Sequence, residues 1–352
     1  METANPAAGP VPADTGADAP APASPEEEED RGRRRKLFLL LFLLLILLLL
    51  SLLTAWYLLF RKPIELPAVT APQAMPTYQG ALYGMSRPKD VAVSADATRI
   101  VITQTGSSYD TLVMDRLGHK LGVLAPPANV VPSPHQMFVA LDPATGEFWT
   151  TDRYNGIVAV YSGAGKFEKL FDPGTALGNW QPLGIAFDKT GVAYIADVSN
   201  GAAVIHVFGP AGQELRSFGA GQNLSNPNGF TVADDGTVYL ADSGNGRLVV
   251  FDKTGNQVGT VGRGAAEGML GLPIGVALDD HANVLIVDST AARVQAYAQL
   301  ATGQSSPDYI NAFGEKGSGD ANFSFPNGIA TDSQGRVYVA DWGNDRLEIW
   351  SY

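Results

Sequence analysis

Six residues that each follow a proline carry most of the chain's capacity to contact a ligand. They are Lys89, His135, Leu183, Asn228, Ile274 and Asn327, behind Pro88, Pro134, Pro182, Pro227, Pro273 and Pro326. Four are polar and two are apolar, so the position is variable where its surroundings repeat. Arg153, Tyr154, Trp180 and Trp342 occupy turns and connections on the same side of the repeats. A guanidinium beside broad aromatic surfaces is a combination enriched in binding hot spots. Several other chemistries are excluded. There is no cysteine in 352 residues, which removes disulfides, thiolate metal sites and cysteine nucleophiles. No G-x-S-x-G, S-x-x-K, H-E-x-x-H or phosphate-binding glycine loop occurs.

The elements that must hold these residues are set by the repeat itself. Successive prolines stand 46, 48, 45, 46 and 53 residues apart. In the fourth copy, Phe230 to Ala233, Val238 to Ala241, Arg247 to Phe251 and Gln257 to Val261 read as strands. Asp234-Asp235-Gly236, Asp242 to Gly246 and Asp252 to Asn256 read as turns. Gly, Asn and Asp tolerate positive φ or bond their own backbone, which is why they mark turns. Four antiparallel strands make one blade, and a blade buries its faces only against neighbours. The chain is therefore expected to be all-β, a six-bladed β-propeller over residues 78–352. The sixth copy ends after its third strand at Tyr352. Tyr78 to Gly84 should supply the missing outer strand and remove an exposed edge. The residues after the prolines should then begin the innermost strands around a channel mouth. The hairpins between second and third strands (Arg153, Tyr154, Ser243, Ser289, Trp342) and the blade connections (Trp180, Phe323, Phe325) should surround it. Asp152, Asp197, Asp242, Asp288 and Asp341 recur at one place, as do Arg247, Arg293 and Arg346. Recurrence in equivalent blades marks them as structural ties.

The copies P-N-G-F-T-V-A-D-D-G-T-V-Y-L-A-D-S-G-N-G-R from Pro227 and P-N-G-I-A-T-D-S-Q-G-R-V-Y-V-A-D-W-G-N-D-R from Pro326 resemble the NHL repeat. The resemblance is strong in copies three, four and six, and reduced to strand pattern in copies one and two. It implies a six-bladed propeller that binds a protein, peptide or glycan through one face. Two enzyme families with similar propellers place metal ligands at the same ring. In the peptidyl-hydroxyglycine lyases, His follows the proline in three blades and holds zinc. Here His135 alone matches, with Tyr154 near that family's catalytic tyrosine, and zinc needs three or four ligands. In the gluconolactonase-like hydrolases, a similar P-N-G or P-D-G context binds calcium. Asn228 and Asn327 match it, and Asp90 is the one acid close by in sequence, whereas calcium takes six to eight oxygens. The resemblance to these families implies a second reading, a metal-assisted lyase or lactone hydrolase using calcium or zinc, with His135, Asn228, Asn327 and Asp90 as its candidate ligands. Without those ligand sets, the expectation is a binding module without a cofactor. A third reading is a scaffold subunit of an envelope complex.

Residues 1–36 hold an Ala, Pro and Glu-rich segment, with eight acids and no Lys or Arg up to Asp30, then a basic cluster from Arg31 to Lys36. Residues 1 to 30 lack a core-forming pattern and should be disordered. Leu37 to Phe60 is apolar except for Ser51 and Thr54. At 1.5 Å per residue it spans about 36 Å, enough to cross a hydrocarbon core of about 30 Å. It is too long for a signal-peptide core, and no A-x-A site follows. Five basic residues precede the span and two, Arg61 and Lys62, follow it. That asymmetry expects a cytoplasmic N-terminus, with residues 37–60 in the bilayer of a single-pass cell-membrane protein. Residues 61–77 carry four prolines and read as a stiff stalk. The acidic tail could contact cytoplasmic components. The net charge of −12, without a basic patch interleaved with aromatics, argues against nucleic acid as a partner.

Overall fold

The computed structural model describes residues 25–60, 75–106, 109–174, 177–199, 201 and 203–352. The chain divides into two compact units, residues 1–69 and 70–352. Residues 1–24, expected to be disordered, and residues 61–74 of the expected stalk lie outside the described residues.

The first unit holds one helix, Pro25–Phe60. It begins well ahead of the apolar run, so the stretch from Pro25 to Asp30, expected as tail, is helical. Proline at the first helical position and acids in the first turn both favour a helix start. Arg34 pairs with Asp30 one turn back at 2.9 Å. Within this helix Asp30–Trp56 is long and apolar enough to cross a membrane.

The second unit is a propeller of six four-stranded antiparallel blades. Blade 1 runs Pro88–Val93, Ile100–Gln104, Thr111–Met114 and Lys120–Leu124 from the centre outward. The innermost strands of blades 2 to 6 are Phe138–Leu141, Pro182–Phe187, Pro227–Val232, Pro273–Leu278 and Pro326–Thr331. Each lies against the next, and the sixth returns to the first. Blade 6 obtains its outer strand from the chain start. Thr77–Leu82 pairs antiparallel with Arg346–Ser351, from Thr77 opposite Ser351 to Leu82 opposite Leu347. The expected closure is present, with the strand ending at Leu82 rather than Gly84.

The glycine of the P-x-G motif lets the blades meet. A Cβ at Gly184 would fall 2.0 Å from the Asn228 carbonyl oxygen, at Gly229 2.4 Å from that of Ile274, and at Gly275 2.5 Å from that of Asn327. Only a residue without Cβ allows that approach. Blades 1 and 2 depart from the motif and are joined by side chains instead. Asp90 accepts the Val139 N–H at 3.0 Å. Gln136 accepts from the Thr111 hydroxyl and donates to Thr150 and Tyr161. Because Gln136 is drawn into these bonds, the innermost strand of blade 2 begins at Phe138. His135 therefore precedes the strand it was expected to start.

The recurring acids are ties, as their recurrence implied. Asp152, Asp197, Asp242 and Asp341 accept the backbone N–H of His135, Gln181, Ser225 and Ser324 at 2.6–2.8 Å, and Asp288 accepts those of Gly271 and Leu272. Each carboxylate thus holds the incoming blade connection against its own hairpin. Arg247 and Arg346 add ion pairs to Asp242 and Asp341 at 2.6 and 3.0 Å. Large rings such as Tyr161, Phe208, Tyr239, Phe251, Tyr297 and Tyr338 fill the space between blades.

Candidate functional site

The innermost strands leave an axial channel of about 370 Å³, lined by all six blades. At the face where those strands begin, a separate pocket of about 390 Å³ lies off the axis, over blades 6, 1 and 2. It is lined by Lys89, Thr105, Tyr109, Met137, Tyr154, Phe325, Asn327 and Trp342. A pocket of this size falls within the range that accommodates small ligands.

The fold delivers these residues from three kinds of segment. Lys89 and Asn327 are the second residues of adjacent innermost strands, and the Lys89 ammonium donates to Asn327 Oδ1 at 2.9 Å. The same ammonium stands 5.1 Å from the centre of the Phe138 ring, a cation–π arrangement. Thr105, Tyr109, Tyr154 and Trp342 come from hairpins between second and third strands. The indole N–H of Trp342 donates to Thr105 Oγ1 at 3.0 Å, and the Arg87 guanidinium lies 4.9 Å above its ring. Phe325 comes from the connection into blade 6.

Three exposed aromatic side chains meet here. Tyr109, Tyr154 and Phe325 are 37%, 69% and 52% exposed, so the pocket wall is apolar and open to water. His135 joins the rim, with its ring 4.6 Å from that of Tyr109 and 5.4 Å from that of Tyr154. Its Nδ1 faces the Ser133 carbonyl at 3.0 Å. The Arg153 guanidinium lies 5.9 Å from the Tyr154 ring. Phe325 and Arg87 both adopt left-handed backbone, with φ of 49°, which costs about 1–2 kcal/mol per non-glycine residue. The surrounding connections hold two bulky side chains at this rim against that preference.

Burial shapes the ionisation of the adjacent pair. Desolvation lowers the pKa of Lys89 to about 8, opposed by the Asp90 carboxylate. Desolvation likewise raises Asp90 to about 7, opposed by its hydrogen bonds from Val139 and Val91 and by Lys89.

Lys89, Tyr154, Asn327 and Trp342 thus share one pocket, with His135 and Arg153 at its edge. Two other candidates are elsewhere. Trp180 is only 4% exposed, packed on Phe171 and Phe208, with its indole N–H on the Gly156 carbonyl at 2.8 Å. It is a core residue, because its connection folds inward between blades 2 and 3. Asn228 lies across the ring, lining the axial channel and donating to Ser243 Oγ at 2.8 Å. The four candidate metal ligands are engaged separately: Asn327 Oδ1 with Lys89, Asn228 with Ser243, Asp90 with Val139 and His135 with Ser133. Among the described residues, the one group of three His or acidic side chains close enough to share an ion is Asp279, Asp280 and His281. Asp279 there already accepts the backbone N–H of His281 and Asn283, the Asn283 amide and the Tyr352 hydroxyl.

Tyr109, Arg87 and Met137 were not singled out from the sequence. The signal for Tyr109 was a longer hairpin in copy one, where Thr105 to Asp110 stands in place of the shorter Arg153 to Gly156 turn of copy two.

Comparison with known proteins agrees with the repeat. The NHL repeat model matches residues 224–251 and 323–350, in blades 4 and 6. Human NHL repeat-containing protein 3 is 32% identical over 80 residues, and the mouse protein of that name 34% identical over 80 residues. Each alignment covers 22% of this chain and 22% of the relative, so the match spans about a fifth of either protein. A streptogramin B lyase structure superposes with a TM-score of 0.55 at 16% identity, covering 79% of this chain and 88% of the other. Virginiamycin B lyase from Staphylococcus aureus superposes with 0.56 at 15% identity, covering 79% and 100%. At that identity the likeness is one of fold. With two matched repeats and the same blade built six times around one channel, the chain is a six-bladed β-propeller that carries NHL repeats in blades 4 and 6.

Proposed function

We propose that the chain is a membrane-anchored binding module that engages a partner outside the cytoplasm through the face bearing the mouth pocket. The observation that carries this reading is the pocket itself. It gathers Tyr109, Tyr154, Phe325 and Trp342 around Lys89 at the position where equivalent blades differ. A ring serving only the fold would carry similar residues in every blade. The anchor rests on the apolar span Asp30–Trp56, and the orientation on the basic residues before it. The partner is a protein, peptide or glycan, the classes that aromatic surfaces with a few polar groups recognise.

The test compares two faces of the propeller. Partners crosslinked to the intact chain in its own membrane are identified, and their affinity for variants is measured. Trp342→Ala and Tyr154→Ala should each weaken binding by about thirtyfold, the equivalent of about 2 kcal/mol at a central contact. Substitutions in the Asp252 to Asn256 turn, at the opposite ends of the strands, should leave affinity unchanged. Equal loss from both faces, or none from either, overturns the reading. Protease added to intact cells should remove the propeller, and a protected C-terminal tag would refute the orientation.

A further inference from the structure

Among the described residues the ammonium of Lys89 makes no direct ion pair, and Asp90 acts on it only through space, in a chain whose net charge is −12. Its hydrogen bond among the described residues runs to the neutral Asn327 amide. Asp90, next in the chain, is turned to the Val139 N–H of the neighbouring blade. The pocket lining contains no Asp or Glu. Withdrawing a charge from water is costly unless an opposite charge or several dipoles replace the lost hydration. Here one amide oxygen, one ring face and the through-space pull of Asp90 do so, and the remaining N–H donors of the ammonium have no hydrogen-bond acceptor among the described residues. The other cations near the pocket are committed to rings, Arg87 over Trp342 and Arg153 against Tyr154.

Resting on the reading of this face as a binding surface, we infer that the pocket takes a carboxylate carried on a flat apolar ring. The carboxylate meets Lys89, and the ring lies among Tyr109, Tyr154, Phe325 and Trp342. The charge required is single. A phosphate would call for a forked guanidinium or a nest of backbone N–H groups, and the lining offers one ammonium. The ring follows from the walls, since offset and edge-to-face contacts between aromatic rings reward a planar apolar body. The carboxylate could belong to a free aromatic acid or to a chain-terminal aromatic residue of a peptide.

The full chain in detergent is titrated calorimetrically with 2-naphthoate, 2-naphthamide and acetate, and with a tripeptide ending in phenylalanine as the free acid or the amide. Naphthoate should bind about tenfold to a hundredfold more tightly than naphthamide, the range of one charged hydrogen bond. Acetate should bind far more weakly than either. Lys89→Met should abolish the preference for acid over amide and keep the ring's contribution. Lys89→Gln, which retains a hydrogen-bond donor, should keep only a small preference. Trp342→Ala should weaken the acid and the amide together. A tripeptide acid that binds more tightly than naphthoate assigns the carboxylate to a peptide end, and the reverse assigns it to a small molecule.

Equal affinity for acid and amide that is lost in Trp342→Ala overturns the carboxylate assignment and leaves the binding face intact. Acid preference that survives Lys89→Met, or no binding of either naphthyl probe, also overturns the assignment. The partner measurement with Trp342→Ala then judges the face separately.

Discussion

Alanine at Gly229 should strain the ring at a place where no side chain can give way. A Cβ there would stand 2.4 Å from the Ile274 carbonyl oxygen, 2.9 Å from Gly275 Cα and 3.1 Å from Val276 N. All three atoms belong to the backbone of the next innermost strand. Ordinary contact begins near 3.5 Å, so that strand must retreat by about 1 Å. It cannot do so alone, because it is hydrogen-bonded to the second strand of its own blade and wedged against blade 6. Overpacking of this kind costs about 1–3 kcal/mol. For a domain of this size each kcal/mol lowers Tm by about 2–4 °C, so the expected drop is roughly 2–12 °C. Gly122→Ala is the internal control, since a Cβ at that outer-strand position meets nothing within 4 Å. It should be neutral or stabilising by up to about 1 kcal/mol, through the unfolded chain. Thermal melts of the propeller unit by circular dichroism decide the matter. If Gly229→Ala melted within about 1 °C of Gly122→Ala, the account of the motif glycine as a blade spacer would be wrong.

Three further outcomes concern blade 6. Deleting Tyr78 to Gly84 should leave Arg346–Ser351 as an open edge and cause a marked loss of Tm with aggregation, whereas deleting residues 1–62 should leave a soluble, folded domain; calorimetry and light scattering separate the two. Arg346→Met should cost about 3–5 kcal/mol in urea unfolding, because the guanidinium contacts Asp341, Glu348 and the carbonyls of Gly319 and Asn322. Burial raises the Glu348 pKa to about 8, against the pull of Arg346 and reinforced by Asp341. A raised folded pKa gives stability that is complete below the unfolded value of 4.5 and is lost as pH climbs through about 8. Glu348→Gln should therefore flatten the fall in stability between those values, and an unchanged pH profile would count against this assignment.

The blade architecture was legible because its signal is local. Asp, Asn and Gly at fixed offsets mark the turns, and the prolines mark the innermost strands. The pocket was legible in part. Lys89, Asn327, Tyr154 and Trp342 could be placed on one face because the repeat assigns each position to an end of a strand. What the repeat could not convey is which way a connection folds. Trp180 and Phe325 both lie just before a motif proline, yet one fills the core and the other faces water. The difference lies in the backbone, since Phe325 is left-handed while the Trp180 indole reaches back to Gly156. Gln136 hid a second departure. It reads as one more polar residue near the mouth, but its bonds to Thr111, Thr150 and Tyr161 delay the strand and set His135 apart from it. The helix start at Pro25 was missed because composition weighed more than the proline and acids that open the first turn.

The closing strand also determines how the domain bears mechanical load. Thr77 sits opposite Ser351 and Leu82 opposite Leu347, so the strand enters at the end of blade 6 remote from the pocket and finishes at the face that bears it. A pull on the chain ahead of Thr77, resisted by a partner held at the mouth, runs along the strand rather than across it. The hydrogen bonds joining it to Arg346–Ser351 then share the force together, in shear, instead of parting one after another as in a zipper. A propeller pulled from its N-terminal side and gripped at the opposite face thereby spreads that tension over every hydrogen bond of its closing seam at once.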